Sequence, residues 1–447
     1  MATASSQISA GRDYDVVVVG GGPTGAIASL ILARANLRVA VFERTTAFPM
    51  RVGESLLPRS YDVLHELGLV ERMATVPHTI KYGAKFGFAH EEDLTRVAFA
   101  DGFRDGATMT FNVERAAFDE MLLKAAQDAG AKLHRGVVAH LSGPPKDGDV
   151  KLTVDGKQIT ASYLIDASGR ATLVGRELNL RKAMPDMRKL ACFAHYTGVE
   201  RDPGQLGGDL LGLMCEEGWF WLIPIDPART SIGFVVDVAA EQQIGMTHEQ
   251  LLEWAIMRAP QVARRCVNAK RVTPVHFVAD FSYTCKPYAG PGYFLAGDSG
   301  AFIDPVFSTG VCLGMSTGKY AAEAVIAVLQ GKMSPHEAKR GYINMFETAS
   351  NVFFRMVRAW YKHPFREVLR YSRNTGRVRR AIVAILAGQI FPTPISMKIR
   401  WRLWVMELAV RLQRFIAVVP RRSSYSLRAG AAIAATRIRF SGMIARL

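Results

Sequence analysis

The chain has 447 residues, 49% hydrophobic and 21% charged, an ordinary globular composition on more length than one compact core takes up, so two or three lobes are expected. Its formal net charge of +16 is uneven: from Asn351 to Leu447 there are 20 Lys+Arg against Glu367 and Glu407, which leaves the first 350 residues at about −2. Five cysteines with no C-x-x-C pair argue against a disulfide framework or a zinc site, and the absence of an apolar leader or a run of about 18 apolar residues points away from secretion and membrane spanning, towards a cytoplasmic protein.

After a polar leader, Val16–Val19 is an apolar run suited to a buried parallel strand, Ala26 to Ala35 has helical composition, and "RVAVFER" reads as a second strand. A helix is expected after "GESLLP", from about Ser60 to Met73, then short strands from Lys81 to Thr110. "NVERAAFDEMLLKAAQDAG" reads as a helix stopped at Gly130. "AKLHRG", "VKLTVDG" and "QITASYLIDASGR" read as strands rejoining the first sheet, and residues about 188 to 285 are strand-rich again. A strand, a loop and a long helix follow in "GYFLAGDSGAFIDPVFSTGVCLGMSTGKYAAEAVIAVLQG", and from about Ser334 the pattern is mostly helical. The expected fold is α/β: a discontinuous Rossmann-type nucleotide-binding domain (1–80, 113–187, 288–333), an inserted strand-rich substrate domain (81–112, 188–287) and a helical, basic C-terminal region (334–447).

Gly20, Gly22 and Gly25 spell G-x-G-x-x-G between a strand and a helix. That spacing serves a tight turn, close backbone approach to a pyrophosphate and close helix–strand contact, and Pro23 and Thr24 open a helix whose free amides face the phosphates. Glu43, with Arg44 after it, ends the second strand 23 residues beyond Gly20, where an acid accepts hydrogen bonds from ribose hydroxyls. "AGDSGAFIDP" places Asp298 and Asp304 ahead of a helix starting near Gly310, and "IDASGR" (Ile165 to Arg170) is a further flavoprotein-like match. Together they select FAD, with the helix dipole stabilising negative charge on reduced flavin. Arg115 is placed to reach a phosphate or the ribityl chain, or to form a salt bridge. In "GWFWLIPI", Trp219 and Trp221 share one face of an extended chain, as sheet core or as the wall of a reaction chamber.

From Tyr14 to Leu329 the chain resembles the flavin-dependent halogenases, through "GGGPTG", "RVGESLLP", "TIKYGAKF", "GWFWLIP" and "GDSGAFIDPVFSTGV". The resemblance maps the family's W-x-W-x-I-P signature to Trp219, Trp221, Ile223 and Pro224, its essential lysine to Lys81 with Lys85 as the second of that context, and its halide-binding backbone amides to the turn Ser308, Thr309, Gly310. It implies that FADH2 and O2 give a C4a-hydroperoxide, that chloride or bromide attacks it to form hypohalous acid, and that Lys81 directs the halogen to an electron-rich aromatic ring while the indoles bar direct hydroxylation. A lysine held out of water, with a lowered pKa, suits that role. Phe307 stands where the tryptophan-specific branch carries a glutamate, so "DPVFSTGV" looks like the branch acting on phenols and pyrroles. No role is assigned to His195 or His276. A geranylgeranyl-reductase-like enzyme, an aromatic hydroxylase and a flavin-binding protein without chemistry are the competing readings.

With no second nucleotide fingerprint, reduced flavin is expected from a separate flavin reductase. The basic tail, in segments such as "RWRLWVMELAVRLQRFIAVV", reads as a lid over the catalytic lobe, a dock for an acidic acyl or peptidyl carrier protein bearing the substrate, or a peripheral contact with the inner membrane face. Nothing resembling a nucleic-acid module or a metal site accompanies it.

Overall fold

The computed structural model describes residues 11–102, 106–279, 282–371, 376–388, 390–391 and 397–430. The polar leader up to residue 10 and the last part of the basic tail, 431–447, lie outside the described residues.

Two sheets carry the molecule. The first has the order Ala289–Gly290, Tyr293–Leu295, Lys157–Asp166, Tyr14–Val19, Val39–Glu43, Lys132–Arg135, with Val150–Val154 and Ala139–Leu141 added beside Lys157–Asp166. Its five central strands run parallel, in register Val17 to Leu164 on one side and Val17 to Ala40 on the other. Both faces are covered, which is why Val16 to Val18 and Ala40 to Phe42 are apolar without alternation. The helices Pro23–Arg34, Arg115–Asp128 and Thr309–Leu329 pack together on this sheet, giving the α/β, Rossmann-type lobe in three stretches of chain.

The second sheet has the order Lys270–Arg271, Lys189–Thr197, Arg229–Asp237, Gly218–Pro224, Leu210–Met214, Gly83–Phe88, Thr95–Ala98, and His276–Ala279 pairs with Lys189–Thr197. It separates two cores. Trp219, Trp221 and Val235 face the cluster that continues under the nucleotide lobe, whereas Phe220, Leu222 and Phe234 face the helix His248–Arg258. A strand's two-residue period therefore puts both indoles on the side of the glycine-rich loop.

A small ribbon pairs His78–Lys81 with Thr110–Val113, matching Lys81 to Thr110, and Ser55 bridges to Asn112 on its other edge. The expected boundary at residue 81 thus falls on the last residue of a strand. Beyond Ser334 the chain forms the helices Pro335–Trp360, His363–Tyr371, Gly376–Leu386 and Met397–Leu412. From 417 to 426 it runs without helix or strand, instead of continuing the expected helical pattern, because Leu427 and Tyr425 turn back onto the outer core of the second sheet. All five cysteines are buried and unpaired.

Candidate functional site

A cavity of about 590 Å³ runs from the glycine-rich loop, between the two sheets, to the paired tryptophans. At its first end the main chain makes the site. Gly20 has φ +104, and a Cβ there would lie 2.2 Å from the Ala167 carbonyl oxygen; one on Gly25 would lie 1.9 Å from that of Gly20. Gly22 meets nothing, because its missing side chain faces the open cavity. It precedes the helix Pro23–Arg34, whose N-terminus has no side-chain cap, so unpaired amides and the positive end of the helix dipole face the cavity. Thr24 lines the cavity while holding that helix against Gly297 and Gly314. Glu43 accepts from the amides of Gly21 (2.7 Å) and Thr45 (2.9 Å), and exposed Arg44 follows it on the rim. An uncapped helix, a cradle that a Cβ would fill and a fixed carboxylate fit the pyrophosphate and ribose of a dinucleotide such as FAD.

Midway, Arg115 is buried: its guanidinium donates to both oxygens of Asp119 at 2.9 Å and to the Val52 carbonyl at 2.7 Å. It is therefore in a salt bridge, but one that lines the cavity. Asp298 faces the same space, and burial pushes its carboxyl up to about 6 against the pull of Arg115 and Arg170. Asp304, wholly buried, accepts from the Val306 amide at 3.0 Å and from the Tyr361 hydroxyl, and desolvation raises it to about 6 as well. The turn beyond it ends at Ser308, in the left-handed region with φ 57, and the helix Thr309–Leu329 starts there with no side-chain cap. Ser308 and Gly310 border the cavity, whereas Thr309 is buried beside them. A second uncapped helix end thus points into the same space, and its free amides suit a small anion.

The far end is aromatic. The rings of Trp219 and Trp221 lie 5.7 Å apart, and Ile223 continues their face along the wall. Trp360, at the end of the helix Pro335–Trp360, stands edge-on to Trp219 and to Phe307 at 6.2 and 5.5 Å. Trp219 Nε1 donates to the Tyr361 hydroxyl at 3.0 Å. Trp221 Nε1 donates to Ser231 Oγ at 3.1 Å. Core and chamber wall are therefore the same residues. Phe307 packs against Phe86 and Trp360, so no carboxylate occupies that position.

Lys81 is only 1% exposed. Its Nζ donates to Ser55 Oγ at 2.8 Å and to the Leu56 carbonyl at 3.1 Å, and sits 5.2 Å from the centre of the Phe99 ring. Loss of solvent brings its pKa down to about 7, although Asp209 pulls the other way. Ser55 lines the cavity and Lys81 stands directly behind it, one hydrogen bond from the wall instead of on it. Lys85 lies instead on the strand Gly83–Phe88 of the second sheet, where it pairs with Asp202.

Sequence reasoning passed over three participants. Glu54, inside "RVGESLLP", lines the cavity, and its carboxylate meets His195 Nε2 at 2.5 Å; both side chains are buried. Trp360 and Tyr361 sit in "RAWYKH", where the surrounding charges drew attention to the surface. His276 lies on an edge strand with its ring against Phe193, outside the cavity. Among the described residues no His/Cys/Asp/Glu group could hold a metal, and no helix is long and apolar enough to cross a membrane.

Comparison with known proteins bears on the family. A family model described as an FAD binding domain matches residues 13–340. The chain is 29% identical over 377 residues to a 1H-pyrrole-2-carbonyl-[peptidyl-carrier protein] chlorinase of Pseudomonas fluorescens, covering 78% of this chain and 84% of that one. It is 30% identical over 375 residues to a flavin-dependent halogenase of Armillaria mellea, covering 78% and 74%. Among solved structures, the chondrochloren halogenase CndH is 26% identical with a TM-score of 0.72, over 92% of this chain and 98% of that one.

Proposed function

The chain belongs to the flavin-dependent halogenases, enzymes that use FAD and halide to halogenate aromatic substrates, and on that premise we propose which residues do the work and on what substrate. Bound reduced flavin, with O2, supplies the oxidation of chloride or bromide to hypohalous acid. Gly20, Gly22, Pro23, Thr24 and Gly25 hold its pyrophosphate, Glu43 and Arg44 its ribose end, and Arg115 and Asp298 its central chain. Amides of the Ser308–Thr309–Gly310 turn hold the halide.

The observation that carries the reading is a buried Lys81 amine one hydrogen bond behind Ser55, at a cavity that also reaches the glycine-rich loop. With a pKa near 7, much of that amine is neutral around pH 7 and accepts a hydrogen bond from hypohalous acid or takes up its halogen. Trp219 and Trp221, backed by Trp360, keep the arene away from the flavin end. The new carbon–halogen bond forms as the halogen's bond to oxygen, or to the amine nitrogen once the halogen has moved there, breaks; the oxygen departs as water and the ring loses one proton. Phe307 cannot receive that proton. Glu54, steadied by His195, can.

The substrate we favour is an electron-rich ring of the phenol or pyrrole kind, presented on a carrier protein. Two relatives support this, the chlorinase above and a 1H-pyrrole-2-carbonyl-[peptidyl-carrier protein] brominase of Pseudoalteromonas luteoviolacea. A separate reductase supplies FADH2.

The test combines purified protein, FAD, a flavin reductase with NADH, O2, chloride or bromide, and phenol or pyrrole substrates, free and carrier-bound. Halide-dependent halogenated product supports the reading. Hydroxylated product indifferent to halide, or oxygen-independent loss of a double bond, would replace it with a hydroxylase or a reductase.

A further inference from the structure

The helix Met397–Leu412 turns Leu403, Met406 and Val410 inward, towards the helices His363–Tyr371 and Gly376–Leu386. Its opposite side carries Met397, Trp401, Trp404, Leu408 and Leu412, at spacings of four, three, four and four, and Phe415 follows three residues on. On a helix of about 3.6 residues per turn those positions form one line. They are 74, 56, 56, 39, 42 and 81% exposed, so the line is open along its whole length. Single exposed apolar residues are normal, but a continuous row with two indoles marks an interaction surface. Arg400 and Arg411 stand exposed on one flank, and Arg414 lies further round on that side. Between Met397 and Arg422 there are seven Lys+Arg against Glu407 alone, and Glu407 is already paired with Arg355.

We propose that this face seats the protein on an anionic lipid bilayer, with the helix lying in the plane of the headgroups. The chemistry on each part of the helix fits that surface. Indoles favour the headgroup level, the aliphatic side chains reach the acyl boundary, and the arginines meet lipid phosphates. The helix is too short and too charged to span, so an in-plane seat is the one open to it. An acidic protein would answer the arginines and leave the apolar row without a match. The inference stands apart from the halogenation chemistry, since none of these residues borders the cavity.

The experiment uses the full chain with bound FAD. Sedimentation with vesicles of phosphatidylcholine, alone or mixed with phosphatidylglycerol, is read at low and raised salt, and tryptophan emission is followed with brominated lipids as quencher. Binding that needs the anionic lipid, weakens with salt and brings quenching supports the proposal. Trp401→Glu/Trp404→Glu is expected to cut partitioning at least about tenfold while leaving bound FAD and halogenation of a free arene unchanged. Arg400→Gln/Arg411→Gln is expected to weaken it several-fold by shrinking its dependence on anionic lipid. Failure to sediment with anionic vesicles at low salt overturns the proposal. So does a dimer in light scattering that the tryptophan variant dissolves, capture of an acidic carrier protein by the same face in place of vesicles, or vesicle binding gained only once residues 431–447 are removed.

Discussion

The two ends of the cavity are built by different means. At the glycine-rich end the main chain makes the site: Gly20 and Gly25 let backbone approach backbone, Gly22 leaves the cavity open, and an uncapped helix supplies the amides. At the tryptophan end side chains from distant segments make it. Lys81 is held through Ser55, Trp219 through Tyr361, and Glu54 through His195. The first design leaves almost no choice of residue, because Gly20 and Gly25 meet main-chain atoms that cannot move aside. The second allows many residue types and depends on side-chain contacts between segments 26 to 142 positions apart. Substitutions at the two ends should therefore fail differently, cofactor first at one and coupling first at the other.

The largest effect is expected from Gly25→Ala. A methyl 1.9 Å from the Gly20 carbonyl must push the helix off the strand, so purified protein should carry no flavin by its visible absorbance, and retention of a full complement would contradict the backbone account. At the other end, Trp360→Ala removes a fully buried indole at a cost of about 3–5 kcal/mol, seen as a lower Cm in denaturant. Flavin should stay bound, while more hypohalous acid escapes to a trapping reagent for each halogenated product. A smaller change, Glu54→Gln, keeps the volume and loses the base. Halogenation should slow by roughly 10²-fold with unaltered formation of hypohalous acid, and an unchanged rate would remove Glu54 from the mechanism.

The mildest test is pH. Burial has lowered the Lys81 pKa to about 7, so the neutral amine gains as pH rises. Single-turnover halogenation should rise roughly tenfold from one unit below the midpoint to one unit above. Asp209 favours the charged amine, so Asp209→Asn should move the midpoint lower, and a shift upward would mean that the titrating group is another one.

The same contrast decides what could be read from the sequence. Glycine spacing reports main-chain geometry within a few residues, so the loop, its helix and Glu43 were legible directly. Strand alternation was enough to put Trp219 and Trp221 on one face. Lys81 was locatable through resemblance, yet its burial and its place behind Ser55 come from a ribbon closed by Thr110–Val113. Trp360, Tyr361 and His195 were out of reach, because Tyr361 meets a partner 142 positions away and His195 one 141 away, and no local pattern encodes such a contact. The tail's mixture of arginines with Trp, Phe, Leu and Val at near-helical spacing was legible as well, but which of those residues face outward is decided by how Leu403, Met406 and Val410 pack inward.

The central claim is that halogen oxidised at the flavin end reaches the arene by way of the Lys81 amine. It is tested most directly by Lys81→Met, a replacement of similar length without the nitrogen. With FAD occupancy matched to the parent, hypohalous acid caught by a small thioether trap and halogenated arene should be measured in the same reaction. The account predicts undiminished trapped oxidant and halogenated arene reduced to the level given by free hypohalite. Arene halogenation at the parental rate and position would contradict it.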